Sequence, residues 1–295
     1  MTWSGLRTCA STTSEDLSGR YARNVLVAVL VIVVLSAAAG LLARRLLRTN
    51  DDTDVRAQAE GLQAAELLNP SRTLVALILA FVLVQTFSSY QDAGDAATAE
   101  ASAVSTEATA AALLPPPGSA EVVASLRCYA RAVAGPGWTS LEQSRRTSPI
   151  TDQAAAQVEA ALGRAEAAGA NAVVLGQLLT ADHERVQARR VRLAEAEPAV
   201  PGIVTALLIG CVAISIAGTA ALAHRRMRSG LRLVLVGVTA VVLTATLLVI
   251  LDLDRPFGGV AAIEPTAMLN VERQIGASPL AADPPCDASG APRTN

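Results

Sequence analysis

Lysine is missing from this 295-residue chain, whose 24 basic residues are all arginine. That excludes Schiff-base chemistry on a lysine and a phosphate loop ending in Gly-Lys-Ser/Thr. Histidine is limited to His183 and His224, and the four cysteines (Cys9, Cys128, Cys211, Cys286) contain no Cys-x-x-Cys pair. A zinc or other metal centre has no ligand set to stand on, so no cofactor is expected. His183, between Asp182 and Glu184, reads as a helix-surface residue. Aromatic residues make up 3% of the chain and the net charge is −2, which gives no basic field to attract nucleic acid. No nucleophile–base–oxyanion set emerges, and the chain is read as non-catalytic.

What the chain has in quantity is Ala, Val, Leu and Ile, within a hydrophobic content of 52%. This is the composition of membrane helices more than of a soluble core. Four uncharged runs, 25–43, 73–90, 202–223 and 233–251, hold 18 to 22 residues each. At 1.5 Å per residue each spans roughly 30 Å of hydrocarbon. Small residues Ser36-Ala37-Ala38-Ala39-Gly40 in the first run suggest a cleaved signal peptide. Its length and the arginines Arg44 and Arg45 behind it favour a retained span. A polar tail (1–24) precedes this run and a basic loop (44–72) follows it, with Asn69-Pro70-Ser71 as a helix-start cluster.

Residues 91–201 separate the second and third runs. Over 91–200 there are 13 acidic residues and nine arginines. Helical spacing joins Val122, Leu126, Tyr129 and Val133, then Val158, Leu162 and Ala165, and then Leu175, Leu179, Val186 and Leu193. Breaks are expected at Pro115-Pro116-Pro117-Gly118 and Gly135-Pro136-Gly137. The predicted class is therefore all-α: a four-span transmembrane protein with an extramembrane helical bundle between spans two and three. In the third run, Ala206, Gly210, Ala213 and Ala217 form a face of small side chains suited to close helix packing in lipid. A basic turn (224–232) leads into the fourth run. After it, 252–276 holds a polar motif and a short helix starting at Glu264-Pro265, and 277–295 reads as a disordered tail.

Nine arginines flank the membrane on the side of 44–72 and 224–232, among them Arg44, Arg45, Arg225, Arg226 and Arg228. The positive-inside rule then puts the termini and the helical region outside the cytoplasm of a bacterial inner membrane. Cys128 and Cys286 would share the outer side, where a bridge between them is allowed but not demanded.

The polar focus of the chain is Leu251-Asp252-Leu253-Asp254-Arg255-Pro256-Phe257-Gly258-Gly259. Asp252 and Asp254 close a helix at its negative dipole end and at the hydrocarbon edge, two placements that disfavour a carboxylate. Compensation is expected from Arg255 or from Arg189, Arg190 or Arg192. One reading is an ion-pair latch docking the fourth span, with Pro256, Phe257 and Gly258 forming the turn. The other is the mouth of an ion pathway.

This terminal stretch resembles a bacterial membrane family described as bestrophin-like, whose last span ends in Leu-Asp-x-Asp-Arg-Pro-Phe-x-Gly. Leu126-Arg127-x-Tyr129, Trp138 and residues 189–201 agree more loosely, and the resemblance covers roughly 74–275. The chain departs beside Trp138, where Gly137 and Thr139 replace an expected Glu and Pro. The resemblance implies oligomeric anion channels with two spans, a helical region and two more spans, and with the helical region in the cytosol. The residues taken alone imply a multi-pass protein in the lipid bilayer, acting through homo-oligomer or partner contacts. The resemblance adds an anion channel, with Thr239, Thr244 and Thr246 as candidate pore lining.

Overall fold

The computed structural model describes residues 54–222, 229–281 and 283–293, with Val34 and Ala38. Among these the secondary structure is helical, apart from a single antiparallel bridge between Cys286 and Pro292. The helices are α1 (Asp54–Ala111), α2 (Gly118–Ala132), α3 (Trp138–Ser144), α4 (Pro149–Ala167), α5 (Ala172–Ala194), α6 (Gly202–Leu222), α7 (Ser229–Leu253) and α8 (Thr266–Gly276). Three helical stretches are long and apolar enough to cross a membrane: Pro70–Ala111, Gly202–Ala220 and Val234–Leu253. The expected first span, 25–43, lies outside the described residues except for Val34 and Ala38, as does most of the basic turn.

Helix α1 departs from the sequence reading at both ends. Residues 54–72, expected as loop, are helical, and Pro70 sits inside α1 without starting it. The proline removes one backbone donor, but the Ala-, Leu- and Glu-rich residues before it favour helix strongly enough to continue. Past Tyr90 the alanines carry the helix on to Ala111. Thr98, Thr106 and Thr109 return their hydroxyls to carbonyls four residues back. The proline triplet after Leu114 then stops it.

The chain divides into two compact units. The first comprises 1–88 and 199–254. Its described core joins Leu79 of α1, Leu208, Val212 and Ile216 of α6, and Ala240, Leu247 and Ile250 of α7. In these contacts the stripe of small residues is not the buried edge. Ala206 is exposed, and a Cβ built at Gly210 meets nothing within 4 Å. Gly210, Ala213 and Ala217 are half-buried, while Leu208, Val212, Ile216 and Ala220, four residues apart, form the buried edge. Within the chain the larger residues win because they interdigitate with α7 and gain more dispersion contact than a small stripe offers.

The second unit comprises 89–198 and 255–295. Its core runs through Ala93, Ala97, Ala101 and Val104 of α1, Val122, Leu126 and Tyr129 of α2, Val158, Leu162 and Ala165 of α4, and Met268, Val271 and Ile275 of α8. Helix starts follow local chemistry. Ser148 caps α4 ahead of Pro149, and Asn171 Oδ1 accepts from Val173 N at 2.9 Å to start α5. Gly169, with φ +78°, ends α4 in the left-handed conformation. Gly135-Pro136-Gly137 does not break the chain. Val133–Gly137 forms a π-turn that joins α2 to α3.

Two further expectations fail in this unit. On α5 the buried residues are Leu178, Ala181, Arg185 and Arg192, not the Leu175, Leu179, Val186 and Leu193 face. The tail is ordered as well. A 3₁₀ turn at Pro279–Ala281 and a hairpin around Asp287–Ala291 lead Cys286 to a disulfide with Cys128.

Candidate functional site

The two arginines buried on α5 exist there because α1 offers two carboxylates at the same spacing. Glu100 and Glu107 are seven residues apart on α1, and Arg185 and Arg192 are seven apart on α5. Seven residues are close to two helical turns, so each pair lies on one face. Run antiparallel, the helices match Glu100 to Arg192 and Glu107 to Arg185. Nε of Arg192 donates to Glu100 Oε2, and its Nη2 donates to Oε1 at 3.3 Å. Nε of Arg185 donates to Glu107 Oε2 at 2.7 Å, and its Nη2 donates to Asp182. All four ladder side chains are 2% exposed or less.

Aromatic residues join the rungs. Tyr129 OH donates to Glu100 Oε1 at 2.5 Å, and the Arg185 guanidinium stands 4.8 Å from the Tyr129 ring centre. Arg192 stands 5.8 Å from the Trp138 ring centre. Burial, then the neighbouring Glu100 carboxylate, push the Tyr129 phenol far above its usual range. Burial works against charge on Arg185, but Glu107, Tyr129 and Asp182 outweigh it and hold the guanidinium above its ordinary value.

Trp138 links the ladder to the terminal motif. Its ring meets Phe257 edge-on at 5.2 Å and 88°. Its Nε1 donates to Ile263 O at 2.9 Å, and Ile263 N donates to Pro256 O at 2.8 Å, which closes the loop 256–263 on itself. Pro256 and Phe257 are buried, and Gly258 N donates to Arg255 O at 3.0 Å in a tight turn. A Cβ at Gly258 would lie 2.8 Å from the Glu142 carbonyl oxygen, so the motif reaches α3 at a distance only glycine allows. A small cavity there is lined by Leu141, Glu142, Arg145, Arg255, Phe257 and Gly258. Burial raises the Glu142 carboxyl. Arg145 ends α3 at φ 57°, a left-handed conformation unusual for a side-chain-bearing residue. Gly137 is equally constrained, since a Cβ there would lie 2.7 Å from Thr151 Oγ1 and 2.9 Å from Ala132 O. The glutamate expected from the family pattern has no room at that position.

The two aspartates fall in the first unit. Asp254 Oδ1 accepts from Val200 N at 2.9 Å, just before α6 begins. A carboxylate disfavoured at the end of α7 is thereby favoured at the start of α6. Asp252 is half-buried in the last turn of α7. The arginines named as possible partners of the latch have contacts within the second unit. Arg192 is spent on Glu100, Arg189 donates to Asp152 and to Thr147 Oγ1, and Arg190 is exposed. Sequence reasoning missed the ladder because it assigned arginine to solvent. The signal was present as matched seven-residue spacings of opposite charge inside otherwise apolar faces. Among the described residues no group of three His, Cys, Asp or Glu side chains could hold a metal ion.

Comparison with known proteins follows the same lines. The family model for the Bestrophin-like domain matches residues 30–268. The fold is similar to that of a bacterial bestrophin homologue from Klebsiella pneumoniae, in a tryptophan-to-alanine variant. Identity is 16%, TM-score 0.64, with 88% of this chain and 98% of that chain covered. Another structure of a Klebsiella pneumoniae bestrophin homologue aligns at 16% identity and TM-score 0.63, covering 84% and 96%. A structure described as a membrane protein aligns at 16% identity and TM-score 0.62, covering 86% and 99%. A search of curated protein sequences finds no match.

Proposed function

Because the chain belongs to the bestrophin-like family, we propose that this helical membrane protein is one subunit of an oligomeric anion channel in a bacterial inner membrane. The observation carrying the proposal is the family match over 30–268, which takes in the apolar helices and most of the second unit. Bestrophins, which the terminal motif resembles, are oligomeric anion channels. That favours the channel over a protein acting only through partner contacts.

The apolar helices supply a consistent lining. No charge interrupts 73–90, 202–222 or 233–251. Thr239 and Thr246, seven residues apart on α7, donate to Leu235 O and Val242 O at 2.9 Å. Each hydroxyl can turn from its carbonyl toward a passing anion, and Thr244 lies close by in sequence. The stripe of Ala206, Gly210, Ala213 and Ala217, exposed at its first residue and half-buried at the others, suits close approach of a neighbouring subunit. At the motif, the bond from Val200 N to Asp254 favours a latch over a pore mouth.

The second unit is read as the extramembrane bundle, outside the cytoplasm. The Cys128–Cys286 disulfide supports this, since such bonds persist in oxidising compartments, and the arginine distribution agrees. This is opposite to the cytosolic helical region of bestrophins. Halide efflux from liposomes carrying the purified oligomer tests the channel reading; efflux no faster than from empty liposomes overturns it. An impermeant maleimide applied to intact cells after reduction tests the orientation. Labelling of Cys128 and Cys286 only after lysis would reverse it.

A further inference from the structure

We infer that the C-terminal segment 277–293 is a disulfide-closed strap that holds the π-turn and, through it, the position of Trp138. The strap is a preformed cap. Asp287 Oδ1 accepts from Ser289 N, Ser289 Oγ and Ala291 N at 2.7 to 3.0 Å, and Asp287 N donates to Ala291 O at 2.9 Å. Gly290, at φ +83°, is pressed so near α2 that a Cβ would lie 2.5 Å from Ala132 N and 2.6 Å from Cys128 O. The strap tip therefore bears on the Cys128–Ala132 backbone, one residue before the π-turn Val133–Gly137.

What happens at Ala132 is passed on by the chain itself. Ala132 O accepts from Thr151 Oγ1 at 3.1 Å, and Gly137 packs against both groups. The π-turn between them ends at Trp138, which touches Phe257 and Arg192. A shift of the strap is thus delivered to the residue that joins the motif to the ladder.

The covalent bond decides whether the strap is closed. Besides that bond, the strap seats Ala281 in the core with Leu280 packed against it, and its polar holds are Arg127 Nη1 to Ala281 O at 2.8 Å and Arg131 Nη1 to Asp287 O at 3.2 Å. Partly exposed contacts of this kind are individually weak. The bond forms by thiol–disulfide exchange with an oxidant of the protein-disulfide class. One cysteine thiolate attacks the oxidant's disulfide to give a mixed disulfide, and the second thiolate displaces it. The oxidant leaves as a dithiol carrying both electrons and, by way of solvent, the two protons given up by the cysteine thiols. Cys128 and Cys286 are both fully buried, so a reductant reaches the sulfurs only when the strap opens. The closure is a single completion step, and it rests on the outward orientation proposed above.

The test uses the full-length protein in lipid nanodiscs with Trp3→Phe, which leaves Trp138 as the single tryptophan, and with Cys9→Ser and Cys211→Ser. Oxidised and dithiothreitol-reduced samples are compared by tryptophan emission and limited trypsin digestion. Reduction is expected to red-shift Trp138 emission and to speed cleavage at Arg273 and Arg293 at least tenfold. The Cys128→Ser/Cys286→Ser variant should match the reduced protein. Identical emission and digestion of the oxidised and reduced samples would overturn the inference. This comparison is made on purified protein, so it stands apart from the orientation, which thiol alkylation in intact cells reports separately.

Discussion

Arg192 of α5 faces Glu100 of α1 in the interior of the second unit, and no water-exposed surface separates the two charges. Removing two ions from water costs several kcal/mol each, which their attraction offsets only while both are present. Glu100→Met or Arg192→Met alone should therefore destabilise by about 3–5 kcal/mol, because a buried charge is left without its counterpart. The double variant should recover much of that loss. Melting curves of the detergent-extracted protein check this; a double variant as poor as the two singles added together would contradict the pairing.

Gly258→Ala places a methyl group against the Glu142 carbonyl, a backbone atom that cannot swing aside. Overpacking of this type costs about 1–3 kcal/mol. The expected result is a lower melting temperature together with altered Trp138 emission, since Phe257 moves with the loop. An unchanged emission spectrum would mean that the motif is not seated on α3.

Asp254→Ala removes the acceptor for Val200 N and should cost about 1–2 kcal/mol. Asp254→Asn keeps an oxygen there and should cost less. Equal losses for the two variants would show that charge, not the hydrogen bond, holds the junction.

Glu272 gives an acid-stability signature. Burial alone would raise its carboxyl, but hydrogen bonds from Arg131 and Arg127 prevail and hold it below its usual value. A depressed folded-state pKa adds stability above the unfolded value, about 4.3, and loses it as pH falls through the folded value. The melting temperature should thus fall as pH drops below about 4.3. In Glu272→Gln that dependence should be shallower. Superimposable pH profiles for the two proteins would remove Glu272 from the account.

Local spacing made much of the second unit legible. Val122, Leu126, Tyr129 and Val133 sit at helical intervals and are all buried, and Glu264-Pro265 does precede a helix that ends at Gly276. The tail was not legible, because a Pro-, Ala- and Asp-rich segment gains order here from a cysteine 158 residues away, which no local pattern reports. Arg185 and Arg192 were hidden for a related reason. Their burial depends on Glu100 and Glu107 on another helix, so composition alone assigns them to solvent. The residues from Ala206 to Ala217 are a stripe of small side chains in the sequence, while packing within the chain uses the neighbouring Leu208–Ile216 edge. The motif at Asp252 to Gly258 carried the family resemblance, while its seat against Trp138 and Glu142 required the fold.

The most direct measurement is a planar-bilayer recording of the purified oligomer under a potassium chloride gradient. The account predicts current that reverses near the chloride equilibrium potential. It also predicts that selectivity persists in Asp252→Asn/Asp254→Asn, as the proposed latch role of the aspartates requires. A folded oligomer that passes no current, or current reversing at the potassium potential, would contradict it.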